Sequence, residues 1–326
     1  MALQGKGFKK QIGIGEQVAF ITKVAPTAYL EFTDEAMVKE IEEIISQGIR
    51  GSAGVKRRLL SAVRVGGTID LEVFPEGGIG YILKHALGAV DSTQPDAIND
   101  PDAWSHVFTL ADSLPEFGLT VSVDRDIAVK DYFGCKISSL ELTAAVNAIL
   151  IAKISLVGRD SSAGAAITPT YPTENPLIFT QGVFKIGGDA VEVSNFALTL
   201  ANNLREDRYG IVGSGLRQQV ERLGKREVTG SFNRVYEDDT LYDLFIAGTP
   251  GALELTFTGG IILGGSGTLS YTVKIEVPIS YYNSFTPGTG GAEMSDHTIP
   301  FRAIEGDSAK EMTITVQNKD EGYPSA

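Results

Sequence analysis

Two-residue alternation, recurring in widely separated stretches, narrows most what this chain can fold into. Tyr271, Val273, Ile275, Val277 and Ile279 are apolar, and Thr272, Lys274 and Glu276 between them are polar. Val65, Gly67, Ile69, Leu71 and Val73 alternate with Gly66, Thr68, Asp70 and Glu72; Leu119, Val121 and Val123 alternate with Thr120, Ser122 and Asp124. Successive side chains of a strand point to opposite faces, so each run predicts a half-buried strand with one wet side. Lys136 to Val157 predicts a long hairpin that reverses near Ala145 to Ala148, and Met312 to Val316 a last strand. Glycine reinforces the reading, at 37 of 326 residues, about 11% against roughly 7% on average. Short helices are expected at Ile79 to Leu87 and Thr240 to Ala247. A third is expected from a cap at Thr33 or Asp34 to about Gln47, where Met37, Val38, Ile41, Ile44 and Ile45 share a helical face and Gly48 supplies a stop.

The chain length suits one large domain or two ordinary ones. A stretch rich in Gly, Ser, Ala, Thr and Pro around Gly158 to Pro176 divides it almost in half. The halves echo each other. Gly67 and Gly230 sit in matching strands 163 positions apart, and Gly51 and Gly213 open matching Gly/Ser loops 162 apart. Gly88 and Gly248 close matching short helices 160 apart. Three landmarks in one order at nearly constant offset read as a tandem duplication of one β-rich unit. The expected organisation is a flexible arm over 1–17, a first β domain over 18–160, a linker over 161–177 and a second β domain over 178–326. Residues 91–105, with Pro95, Asp96, Asp100, Pro101 and Asp102, look like an insertion in the first copy, where the second has Gly259 to Gly267.

Several kinds of chemistry lack their residues. The one cysteine, Cys135, has no partner for a disulfide and reads as a small half-buried residue. His85, His106 and His297 stand in no metal-ligand spacing, and neither HExxH nor GxSxG occurs. Gly13 and Gly15 lack the third glycine and preceding strand of a dinucleotide loop, and the glycines of 259–267 read as turns between strands. No cofactor is expected, and nothing reads as an enzyme. No apolar run approaches the roughly 18 residues of a membrane span. Met1 to Gly15 has lysines but no apolar stretch after them, so a secretory signal is not expected.

The ordered motifs resemble a known family. The run Val65-Gly66-Gly67-Thr68-Ile69-Asp70-Leu71-Glu72-Val73-Phe74-Pro75 is followed by Gly80-Tyr81-Ile82-Leu83-Lys84-His85-Ala86-Leu87-Gly88. Leu114-Pro115 precedes the strand from Leu119 to Asp124, and Tyr132-Phe133-Gly134-Cys135-Lys136-Ile137 comes after it. The second half carries Arg226 to Ser231, Leu241 to Gly248 and Val277-Pro278. In this order and spacing, over roughly residues 15–320, they resemble the tail tube (major tail) proteins of long-tailed, non-contractile phages. The resemblance implies packed β-sheets in sandwich or barrel units, each with a short flanking helix, assembled into stacked rings around a channel for DNA. Two tube-like copies in one chain imply a trimeric ring with pseudo-sixfold symmetry, with a hexamer as the other possibility. It also implies a tape measure protein and other tail proteins as partners, DNA as non-specific passing cargo, no membrane, and a place in the virion tail after assembly in the host cytoplasm. No catalytic signature accompanies the family.

Charge agrees with such a role. Lys+Arg 28 against Asp+Glu 41 gives −13, the wrong sign for a protein that grips nucleic acid or anionic lipid. An acidic channel lining repels the phosphate backbone and lets a duplex slide. Residues 96–126 hold seven acids against Arg125. Candidate lumen-facing acids are Asp70, Glu72, Asp124, Glu141 and Glu276, which read equally as solvated outer positions. Basic residues follow the Gly/Ser loop in both halves: Lys56, Arg57 and Arg58 in the first, Arg217, Arg222, Lys225 and Arg226 in the second. They are candidates for meeting acidic loops of a neighbouring subunit, or else for solvated loops. The arm 1–17 and the tail after Asn318 are candidates for adding a strand to a neighbour's sheet edge.

Two other functions fit the composition. One is the inner tube of a related secretion or injection apparatus. The other is a carbohydrate-binding β-sandwich using Trp104, Tyr281 and Tyr282, or a glycosidase whose carboxylate pair only folding would bring together.

Overall fold

The computed structural model describes residues 6–235, 239–264, 266–284 and 296–323. They form a mainly β protein. In chain order the first elements are β1 (Gln11–Glu16), β2 (Ala28–Leu30), β3 (Phe32–Glu35), β4 (Val38–Ile45), β5 (Arg58–Glu72) and α1 (Ile79–Leu87). There follow β6 (Gly88–Thr93), β7 (Trp104–Leu110), β8 (Leu119–Asp124), β9 (Val129–Ala145), β10 (Ile151–Gly158) and β11 (Asp160–Ala163). The later elements are β12 (Gly182–Ile186), β13 (Asp189–Ala190), β14 (Asn195–Ala201), β15 (Glu227–Val235), α2 (Thr240–Ala247), β16 (Gly251–Ile261), β17 (Ser270–Tyr282), β18 (Asp296–Ala303) and β19 (Thr313–Asn318).

One pairing scheme runs twice along the chain. β1 pairs with β2 and β8, β8 with β9, β9 with β10 and β11, β10 with β5, and β5 with β4. Later, β12 pairs with β13 and β16, β16 with β17, β17 with β18 and β19, β18 with β15, and β15 with β14. The landmark glycines serve the same purpose in each set. A Cβ on Gly67 would stand 2.2 Å from the Ala36 carbonyl oxygen, and one on Gly230 would stand 2.4 Å from that of Ala197. Both positions need a residue without a side chain because backbone passes close by, the β3–β4 link at Gly67 and strand β14 at Gly230. The β6–β7 hairpin stands outside the scheme and pairs through β7 with β19. It contains the stretch expected as an insertion.

A continuous antiparallel sheet in the order β4–β5–β10–β9–β14–β15–β18 spans both halves of the chain. Its central seam is the β9–β14 ladder, from Ala145 opposite Asn195 to Ser139 opposite Ala201. One face carries Leu71, Ala152, Leu142, Leu198 and Phe301, all buried. Strand β12 of the other layer packs onto it: Phe184 lies 5.4 Å from Phe196 and 5.2 Å from Phe232 between ring centroids. Phe232 in turn meets Tyr282 and Phe301. Burial of these rings supplies much of the apolar driving force of the second half.

The expected helix over 33–47 is instead strands β3 and β4. Its apolar residues sit at helical spacing, but β4 and the start of β5 leave the body as a hairpin with both faces in solvent. Val38, Ile41 and Ile44 are 46%, 45% and 55% exposed. With no buried face, neither side is under pressure to alternate, and the spacing carries no record of the backbone. The β-branched residues and the ladder to β5 decide the conformation. Part of the expected arm is also structure, since Gln11–Glu16 is β1, with Ile12 and Ile14 fully buried between β2 and β8. Gly13 and Gly15 permit this: added Cβ atoms would meet Pro26 Cβ at 2.6 Å and the Ala25 carbonyl oxygen at 2.4 Å.

Helix α1 holds β1 in place. The buried Lys84 Nζ and His85 Nε2 lie 2.6 and 2.8 Å from Glu16 Oε1. Burial alone raises the Glu16 pKa, but hydrogen bonds from His85 and Lys84 outweigh it and hold the carboxylate below its usual range. Burial pushes His85 down, and it pushes down His106, which is hydrogen-bonded to Ser92 and Asn318. Cys135 is fully buried, its thiol pushed up to about 12 by desolvation. The two histidines fix the sign of acid lability. Below an unfolded pKa of about 6.5 the unfolded chain binds protons that the folded chain refuses, so stability falls as pH falls. Urea midpoints measured from pH 7.5 to 5 are expected to drop, by up to about 1.4 kcal/mol per pH unit for each histidine until its folded pKa is reached. A flat profile would show that both rings take up protons in place.

Candidate assembly surface

The second face of the long sheet is polar. One row across it reads Asp70, Lys153, Glu141, Thr199, Thr229 and Arg302, each opposite the next in register. The adjoining row reads Glu72, Ile151, Thr143, Ala197, Ser231 and Pro300. Short and polar side chains therefore spread over a surface contributed by both halves. Lys153 Nζ pairs with Asp70 at 3.4 Å.

The structure brings three of the five candidate acids, Asp70, Glu72 and Glu141, to this one face. Asp124 ends β8, and its Oδ1 accepts the Asp126 N–H at 2.8 Å, capping the turn into β9. Glu276 lies in the outer layer, where Lys274 bridges it at 2.7 Å and Glu254 at 3.4 Å. Alternation along β17 could not reveal this separation. β17 changes partners along its length: Glu276 stands opposite Glu254 of β16 and Thr313 of β19, whereas Tyr281 stands opposite Arg302 of β18.

The basic candidates separate into two kinds. Arg217 is 3% exposed: its guanidinium donates to the carbonyl oxygens of Val65 at 2.9 Å, Gly158 at 2.6 Å and Glu206 at 2.6 Å. Arg222 donates to the Asp112 carbonyl at 2.7 Å and to Asn202 Oδ1 at 2.7 Å. Arg226 forks onto Glu311 at 2.9 and 2.8 Å. These three engage partners within the chain and seat the loop over 202–226 on the first half. Gly215 O receives the Val63 N–H at 2.8 Å, and Tyr209 OH donates to Val63 O at 3.0 Å. Val220 and Leu204 bury against Val157 in the same junction. Lys225 stays exposed, as do Lys56 and Arg57 in the hairpin turn over 46–57; Arg58 pairs with Glu43 across the hairpin.

That hairpin groups several exposed apolar side chains on one protruding element. Ile41, Ile44, Leu59 and Leu60 are 45 to 65% exposed, with Ile44 directly opposite Leu59. Large apolar residues grouped on a protruding element mark a surface that another protein covers. At one end of the sheet β4 pairs only with β5 and carries backbone groups open to a further strand; at the other end β18 continues through Phe301 to Ala303 onto β17.

Residues 7–303, nearly the whole chain, match the family model described as phage tail tube protein. The chain belongs to that family. Comparison with curated proteins gives no match. The tail tube protein is thus a structural component of the virion tail, and it assembles with copies of itself and with other tail proteins. No helix among its described residues is long and apolar enough to cross a membrane. The exposed hairpin and the open β4 edge were not legible in the sequence as assembly features, because the hairpin was expected as a helix. The signal available for it was the β-branched content of Val38 to Ile45, set against six charged residues between Asp34 and Glu43.

Proposed function

We propose that the tail tube protein closes into rings of three copies, and that stacked rings form the channel through which phage DNA passes into the host. The observation that carries this reading is the β9–β14 seam. It joins two four-stranded panels, β4–β5–β10–β9 and β14–β15–β18–β17, edge to edge within one chain. The same kind of join between chains leads from the second panel of one copy to β4 of the next. Three chains supply six panels, a ring of threefold symmetry that approximates sixfold, and the reading takes the chain as two tube units in tandem. Sheet closure also removes the open edges, which otherwise invite uncontrolled pairing.

The polar sheet face then lines the channel. Asp70, Glu72 and Glu141 face the DNA backbone, with Lys153 and Arg302 interspersed. Fixed negative charge weakens any hold on phosphate, and without counterion release there is no tight binding. The tail tube protein in this reading is a non-enzymatic conduit; the tape measure protein is its occupant before DNA. Electron microscopy of purified tubes should give rings of three chains, and six chains per ring would overturn the stoichiometry. Phage carrying Glu72→Lys with Glu141→Lys should build tubes of normal length but eject DNA about tenfold more slowly or worse, with strong salt dependence. Ejection at the normal rate from intact tubes would remove these residues from the lumen.

A further inference from the structure

The loop over 202–226 and the hairpin over 38–57 occupy the same place in the repeated pairing scheme, before β15 and before β5. Yet one is docked and the other exposed. The docked loop keeps a hairpin-like ladder of its own, with Leu204 bridging Arg222 and the Arg205 N–H donating to the Glu221 carbonyl at 2.7 Å. It lies on the middle of β5 and the end of β10, where Arg217 reaches the Val65 and Gly158 carbonyls. Val65 and Gly158 are register partners. Moving from β5 to β15 by the 163 positions that relate Gly67 to Gly230 turns Val65 into Val228. On β18, the position next along the ladder from Arg302, which faces Thr229, is Ala303.

We infer that the hairpin of one copy docks onto the ends of β15 and β18 of the next copy, as the loop over 202–226 docks onto β5 and β10 within the chain. This rests on the proposal that copies join head to tail in a ring. Charge favours the match. The hairpin turn carries Arg50, Lys56 and Arg57, all exposed, in a chain of net −13. The receiving surface presents Glu227 and Glu305, whose side chains are 51% and 46% exposed and are shared with Arg302 and with Arg226 and Lys310. Ile304, 43% exposed at the same end, offers apolar contact to the exposed Val55. Lys56 and Arg57 follow the Gly/Ser turn much as Arg217 follows Gly213 to Gly215, which puts a cation of one copy near the Val228 and Ala303 carbonyls of another.

Charge reversal on both sides tests the inference with the full-length protein. Lys56→Glu with Arg57→Glu changes only solvent-exposed positions, so the monomer should melt as the wild type does. The concentration needed for tube assembly should rise at least about tenfold, since opposed charges become like charges at a close interface. Adding Glu227→Lys and Glu305→Lys to that variant should restore most of the assembly, and the acceptor pair alone should be defective. Circular dichroism of each variant separates failed docking from failed folding. If the hairpin variant assembles at the wild-type concentration, or if the fourfold variant is no better than the hairpin variant while still folded, the docking site is wrong and the ring reading stands. A wild-type chain that remains monomeric at high concentration would instead remove the ring reading, and this inference with it.

Discussion

A variant with threonine at Ile41, Ile44, Leu59 and Leu60 is expected to remain a folded monomer and to lose tube assembly. The four side chains are 45%, 55%, 56% and 65% exposed, so the isolated chain gains little from their packing. Threonine keeps the β-branched character at Ile41 and Ile44 and introduces it at Leu59 and Leu60, which suits a strand, and exposed substitutions of this kind change monomer stability by about 0.5 kcal/mol or less each. On the docking proposed above, a neighbour covers the same side chains in the tube. Each then contributes on the order of 1 kcal/mol of apolar burial, at roughly 25 cal/mol per Å2. Four of them total about 4 kcal/mol per hairpin, which weakens each contact by about a thousandfold. Sedimentation and negative-stain microscopy over a concentration series would measure this. Tubes forming at the wild-type threshold would show that the hairpin is bare in the assembled tail as well.

Arg217→Ala should be the most damaging single substitution of a polar residue, and it acts on stability before assembly. The side chain is 3% exposed and donates three hydrogen bonds to carbonyl oxygens, two of them on the first half of the chain. Truncation leaves those oxygens buried without a donor, at about 1–3 kcal/mol for each unsatisfied group, and opens a cavity beside Val65. A loss of about 3–5 kcal/mol follows, measurable as a lowered urea midpoint. The loop over 202–226 should become sensitive to limited proteolysis first, because Arg217 and the Val63–Gly215 bond hold it down. Arg217→Lys, which keeps the charge but not the fork, should recover only part of the loss. A midpoint unchanged in Arg217→Ala would mean that water replaces the guanidinium at no cost.

Much of the fold follows from the sequence through one kind of constraint. Where a strand has one buried face, the two-residue period must appear, and it does in most of β17 and the inner part of β5; β8 alternates in sequence too, but its expected wet face is covered, with Thr120 and Ser122 buried and hydrogen-bonded to Val24 and Asp131. The helices α1 and α2 were legible at Ile79–Leu87 and Thr240–Ala247 because each closes on a glycine in the left-handed conformation, Gly88 and Gly248. The family, too, was legible, from the order of motifs that individually say little. Among the candidate residues, Arg217 was expected, with six other cations, at a neighbouring subunit or in a solvated loop, whereas it is buried and its partners lie within the chain. Its ligands are backbone carbonyls, which every residue has, so no side-chain pattern marks them.

By itself, then, the sequence determined the β class, the two short helices and the membership of the tail tube family. These depend on periodicity and on residue types that are needed locally. Only the tertiary structure decided that 33–45 is strand, that Asp70, Glu72 and Glu141 share a face that Asp124 and Glu276 do not, and that one cation-bearing loop is docked while its counterpart stands free. The physical reason is common to all three. A hairpin with both faces wet leaves no periodic trace, and the alternation within β17 does not show which strands pair with each part of it. Whether a loop is covered depends on the surface that another part of the chain brings to it.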